Sequence, residues 1–168
     1  LVNKNKKLII ISNSSKRKIS STEGLKSLGF NKNNFSEVIT SGEMIWHELF
    51  NSIENYGNQL INCFHIYDST KEDGLDFRSG LGKFNFVDKI NEANFILACT
   101  PFENTEPLDY IPILKEALEL NLIMFCANPD YVTIEKSSKK KNIFCMGTIA
   151  DLYEHMGGKV IILGKPNK

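Results

Sequence analysis

Short apolar runs that stop abruptly at small polar residues are the feature that most restricts what this chain can become. Leu8-Ile9-Ile10-Ile11 ends at Ser12-Asn13-Ser14-Ser15. Leu122 to Ala127 ends at Asn128-Pro129-Asp130, and Val160 to Leu163 ends at Gly164-Lys165-Pro166. Val38-Ile39-Thr40, Cys63 to Tyr67 and Phe95 to Cys99 are further runs of this kind. Without polar alternation, such runs fit strands buried on both faces, as in parallel sheets. Between them lie segments of helical period. One starts at a Ser41 cap and continues to about Ile53, with Ile45, Trp46, Leu49 and Ile53 on one face; the others span Leu108 to Leu120 and Thr148 to Met156. Strand–helix alternation predicts an α/β fold with a mostly parallel sheet. Ser20 and Glu23 have capping-box spacing ahead of a short helix stopped by Gly29. Asp68 to Gly82 reads as loop. Tyr131 to Glu135 and Asn142 to Cys145 read as a hairpin around a lysine-rich turn, Ser137 to Lys141.

A chain of 168 residues can bury one sizeable core, or one core and a small second lobe. Its 20 basic and 20 acidic residues leave no net charge to attract nucleic acid or an acidic membrane. No apolar run approaches the roughly 20 residues of a membrane span, and no signal peptide is visible. Cys63, Cys99, Cys126 and Cys145 are widely spaced, and three lie in apolar runs. They read as buried free thiols of a cytoplasmic protein. The chain begins at Leu1 and stops just after an apolar strand, so both ends read as cut.

Chemistry concentrates at the strand ends. Ser12-Asn13-Ser14 offers small hydroxyls and backbone N–H groups to one point, which suits a phosphate dianion; an ordinary turn looks the same. Lys165, held between Gly164 and Pro166, places an ammonium at a strand end. It is no Walker A lysine, because the upstream glycine and the following Ser or Thr are missing. Asn128-Pro129-Asp130 suits a tight turn. Asp68 precedes Ser69-Thr70 in the manner of a phosphotransfer aspartate, but Thr70 stands where the second acid belongs. Gly80-Leu81-Gly82 lacks a third glycine. His47 and His65 read as structural, His155 as a helix-end cation, and Lys136 to Lys141 as a solvated turn.

In order, Ile10 to Arg17, Ile39 to Glu43, Cys126 to Asp130, Gly147 to Glu154, Gly157-Gly158-Lys159 and Gly164-Lys165-Pro166 resemble the subclass IIA branch of the haloacid dehalogenase-like hydrolases. That branch includes nitrophenylphosphatase-like and pyridoxal phosphate phosphatase-like enzymes, and the match is best to an uncharacterised bacterial subgroup. The resemblance implies a Rossmann-like core over residues 1–44 and 125–168, with an inserted α/β cap over 45–124. It implies that Ser12, with Asn13 and Ser14 in the same loop, and Lys165 bind phosphate, Ser12 and Lys165 also acting in catalysis. It further implies a small phosphorylated metabolite as substrate, an aspartyl-phosphate intermediate, Mg²⁺ and a homodimer through the cap.

The sequence departs from that pattern at both ends. No Asp precedes Ser12, and only three residues follow Lys165. The family's nucleophile, its acid/base and its main metal ligands are therefore expected outside this chain, which alone should be inactive. The alternative is a non-catalytic α/β module that holds anions through Ser12 and Lys165. A nucleotide-dependent oxidoreductase is disfavoured by the missing glycine fingerprint.

Overall fold

The computed structural model describes residues 6–52, 60–70, 73–133 and 143–166. The strands are β1 (Ile9–Ser12), β2 (Glu37–Thr40), β3 (Ile61–Ile66), β4 (Phe84–Val87), β5 (Phe95–Ala98), β6 (Ile123–Cys126), β7 (Val132–Thr133), β8 (Ile143–Phe144) and β9 (Lys159–Ile162). The helices are α1 (Lys18–Gly24), α2 (Ser41–Ser52), α3 (Asp73–Arg78), α4 (Ile111–Glu119) and α5 (Met146–His155).

Five strands form one parallel sheet in the order β4-β3-β5-β6-β9. Both faces are covered, which explains the uninterrupted apolar runs. On one face Leu114 and Ala117 of α4 pack with Ile149, Ala150 and Tyr153 of α5. On the other, Ile45, Trp46 and Leu49 of α2 pack with Phe77 of α3 and with Leu81. β1 and β2 make a separate parallel pair. No described helix is long and apolar enough to cross a membrane.

Several expectations need correction. The division at 124/125 does not follow the sheets, because β5 and β6 on either side of it are hydrogen-bonded neighbours. Strand pairing instead separates β1–β2 from the five-stranded sheet, whose covering helix α2 starts directly after β2. The run Leu8 to Ile11 is not buried on both faces: Ile9 and Ile11 are more than half exposed, because only β2 flanks them among the described residues. The Ser20–Glu23 capping box does not form; α1 starts earlier, after Arg17, and places Ser20 inside the helix. Thr40, not Ser41, caps α2, its hydroxyl accepting from the Glu43 N–H at 3.0 Å. Asp68 to Gly82 is not all loop, since α3 lies within it. The polar residue of Phe84-Asn85-Phe86 hid β4, which among the described residues is an edge strand paired only with β3. The hairpin is present as β7 against β8; Ile53 and the lysine-rich turn lie outside the described residues.

Candidate functional site

The loops after β1, β6 and β9 meet at the side chain of Asn13. Its Nδ2 donates to Asp130 Oδ1 at 2.8 Å and to the Lys165 carbonyl at 3.0 Å. Its Oδ1 accepts from the Lys165 N–H at 2.9 Å. One amide thereby clamps the backbone of Lys165 from both sides. Next to it, the Ser41 hydroxyl donates to the Leu163 carbonyl. Gly164 turns the chain here with φ +141°, and a Cβ on it would crowd Asn13 Oδ1 and Ser41 Oγ at 3.1 Å. Only glycine suits that turn.

This geometry gives Asn13 a structural part that the sequence did not show. Both of its amide hydrogens are given to protein acceptors, Asp130 and the Lys165 carbonyl, in addition to any part in anion binding expected of it. At the level of the backbone, Ser12 is one residue from Asn13, and Asn13 is bonded to Lys165; no contact joins the Ser12 hydroxyl and the Lys165 ammonium among the described residues. Ser12 Oγ accepts from the Ser14 N–H and Ser14 Oγ from the Lys16 N–H, each at 3.2 Å. The loop is thus also a self-bonded serine turn, and each hydroxyl retains its own hydrogen to donate. The Gly42 N–H at the start of α2 donates to the Ser14 carbonyl at 3.0 Å. That helix end holds the loop in place through its backbone.

A cleft of about 720 Å³ opens beside this loop. Ser12, Ser14 and Lys16 of the loop line it, together with residues that include Asp68, Thr70, Thr100, Phe102, Asn128 and Asp130. These follow the carboxyl ends of β3, β5 and β6, where open α/β sheets build ligand sites. Lys165 is exposed and is not part of that lining. Sequence reasoning dismissed Asp68 and missed Thr70 and Thr100. Asp68 does not stand as a phosphotransfer aspartate: its Oδ1 accepts from the Thr70 N–H at 3.0 Å and the Thr70 hydroxyl at 2.5 Å.

Behind the loop, Arg17 makes a two-pronged pair with Glu43, Nε to Oε2 at 2.7 Å and Nη2 to Oε1 at 3.2 Å. Its guanidinium lies 3.8 Å from the Trp46 ring centre and donates to the Ser79 carbonyl. Burial works to raise the Glu43 carboxyl, but the bonds from Arg17 and the Lys18 N–H outweigh it and hold the group below its ordinary value. The pair ties the loop after β1 to α2 and to the end of α3.

Among the described residues, no three His, Cys, Asp or Glu side chains group together as a metal would need. Asp130 at the junction already receives Asn13. The described residues alone do not make up a Mg²⁺ site.

No family model matches the chain, and no curated protein matches it. Solved structures do. A haloacid dehalogenase-like family hydrolase from Brucella suis 1330 superposes with a TM-score of 0.82 at 26% identity, over 98% of this chain and 56% of that one. A glycerol phosphate phosphatase from Mycobacterium tuberculosis, in complex with calcium, gives 0.64 at 15% identity, over 94% and 43%. A 4-nitrophenylphosphatase from Thermotoga maritima gives 0.57 at 18% identity, over 98% and 58%. The chain thus spans little more than half the length of these structures, or less.

Proposed function

We propose that this chain, which shares its fold with a haloacid dehalogenase-like hydrolase, is the phosphate-holding part of a subclass IIA phosphatase acting on a small phosphorylated metabolite. The observation that carries the reading is the Asn13 clamp, which seats the segment bearing Lys165 beside the loop bearing Ser12. Ser12 would donate its hydroxyl to a phosphoryl oxygen. The Lys165 ammonium would neutralise charge that builds on the phosphoryl group as it transfers. Neither makes or breaks a bond to phosphorus. In the full-length protein an aspartate from outside residues 1–168 would attack phosphorus, release the alcohol and leave an aspartyl-phosphate that water then hydrolyses. Mg²⁺, held by acids also outside these residues, would supply further charge neutralisation. The 168-residue chain on its own would not turn over.

Release of 4-nitrophenol from its phosphate ester by the full-length protein tests this. Turnover is expected, with Lys165→Ala lowering kcat at least about 100-fold and Ser12→Ala lowering it less. Wild-type rates in both variants would remove the assigned roles. No turnover, with inorganic phosphate still bound through Ser12 and Lys165, would favour a non-catalytic anion-binding module instead.

A further inference from the structure

The order of the five-stranded sheet marks one place in it as special. From β3 the chain goes to β4 on one side and then crosses to β5 on the other. The connections leave on opposite faces. Phe77 of α3, between β3 and β4, packs with Trp46 and Leu49, whereas Leu114 of α4, between β5 and β6, packs with Ile149 and Tyr153. Where successive connections diverge in this way, a crevice opens beyond the strand ends, and ligands of open α/β sheets bind there. Here that crevice lies between the ends of β3 and β5, and Thr70 and Thr100 both line it.

The two hydroxyls are wired in opposite senses. Thr70 Oγ1 donates to Asp68 Oδ1 at 2.5 Å, so its lone pairs face outward as acceptors. Thr100 Oγ1 accepts from the Asp68 N–H at 2.8 Å, so its own hydrogen is left to donate. Both bond Asp68 and both line the cleft, so together they offer one acceptor and one donor. An alcohol, which donates once and accepts, satisfies both at the same time.

The wall that carries Thr100 is rigid. The Phe102 N–H donates to the hydroxyl of Tyr110 at 2.7 Å, and the Phe102 ring stacks on that of Tyr110 at 5.7 Å with 2° between the planes. Thr105 bonds the Phe102 carbonyl at 2.8 Å, and Tyr110 itself is 2% exposed. A preformed pair on a rigid wall discriminates between ligands at little ordering cost.

We infer that Thr70 and Thr100 are specificity-determining residues that read a hydroxyl on the leaving alcohol, and that the substrate is the phosphate monoester of a polyol. This rests on the phosphatase reading above, because the same cleft is also lined by Ser12 and Ser14. Neither threonine touches the transferring phosphoryl group; their effect falls on which ester is accepted.

Sorbitol 6-phosphate and n-hexyl phosphate have six-carbon chains that differ in their hydroxyls, so the full-length protein should be assayed on both, with 4-nitrophenyl phosphate as the reference ester. The expected kcat/KM favours sorbitol 6-phosphate over hexyl phosphate by about tenfold or more, since a site built to bond a hydroxyl rejects its absence. Thr100→Val should remove most of that preference through KM and leave the other two esters within about twofold. Thr100→Ser, which restores the hydroxyl, should recover it. Thr70→Val, at an exposed position that does not threaten folding, should act in the same direction. Equal rates on the two six-carbon esters in the wild type, or an equal loss on all three esters in Thr100→Val, would overturn the inference while leaving the phosphatase reading intact. No hydrolysis of any of the three would overturn both.

Discussion

At the scale of single residues, His65 shows how far burial can move a group whose type reads as unremarkable. It is 5% exposed and stacks on Tyr67 at 4.5 Å. Its Nδ1 accepts from Arg78 Nε at 3.2 Å, and its Nε2 has no hydrogen-bond partner among the described residues. Burial, with the Arg78 charge adding to it, pushes the imidazole from 6.5 down to about 3. The folded state therefore favours neutral His65. Above pH 6.5 the ring is neutral folded and unfolded, and costs nothing. Below pH 6.5 the unfolded chain takes up a proton that the folded one refuses, so stability falls until pH reaches about 3. Against His65→Gln, which keeps an acceptor for Arg78 but does not titrate, the stability gap should narrow by about 1.4 kcal/mol per pH unit below 6.5. Urea unfolding at several pH values measures this; parallel curves would contradict it. The sequence reading of His65 as structural was sound, because an imidazole within an apolar strand has little else to do. Asn13 was legible as a polar residue at a strand end but its grip on Lys165 was not, because which backbone an amide meets depends on which loop lies opposite.

At the scale of elements, what positions the site is close backbone approach between loops and helix starts. The Gly147 N–H, at the start of α5, donates to the Asp130 carbonyl at 3.1 Å. A Cβ on Gly147 would lie 2.3 Å from the Pro129 carbonyl oxygen and 2.5 Å from that of Asp130. Neither atom can give way without moving the loop that receives Asn13. Gly147→Ala should cost about 1–3 kcal/mol, as other overpacking substitutions do, and should displace Asp130. A drop in thermal midpoint of several degrees would register it, and an unchanged midpoint would show that the loop yields freely. Element existence was readable wherever apolar runs were unbroken. It failed for β4, whose edge position allows polar alternation, and for α3, whose six residues are too short for a helical period to show.

At the scale of the whole molecule, the two sheets are in different conditions. The five-stranded sheet is covered on both faces, whereas Ile9 and Ile11 of β1 are 55% and 54% exposed. A parallel pair that shows isoleucine to water is unusual, because parallel strands are normally buried on both sides. If the phosphatase reading is right, further chain covers this face in the full-length protein. Ile11→Lys should then change the stability of the 168-residue chain by no more than about 0.5 kcal/mol, and cost the full-length protein about 2 kcal/mol or more. Denaturant titrations of both forms decide it, and an equally small effect in both would mean that the face stays open.

By itself the sequence determined the class of fold and most of its strands, because apolar runs and turn residues act over a few neighbouring positions. Only the tertiary structure decided which runs share a sheet, that Asn13 grips Lys165, and that two threonines thirty residues apart face one crevice. Those are long-range pairings, set by packing and by which hydrogen bonds close over distance, and no local pattern records them.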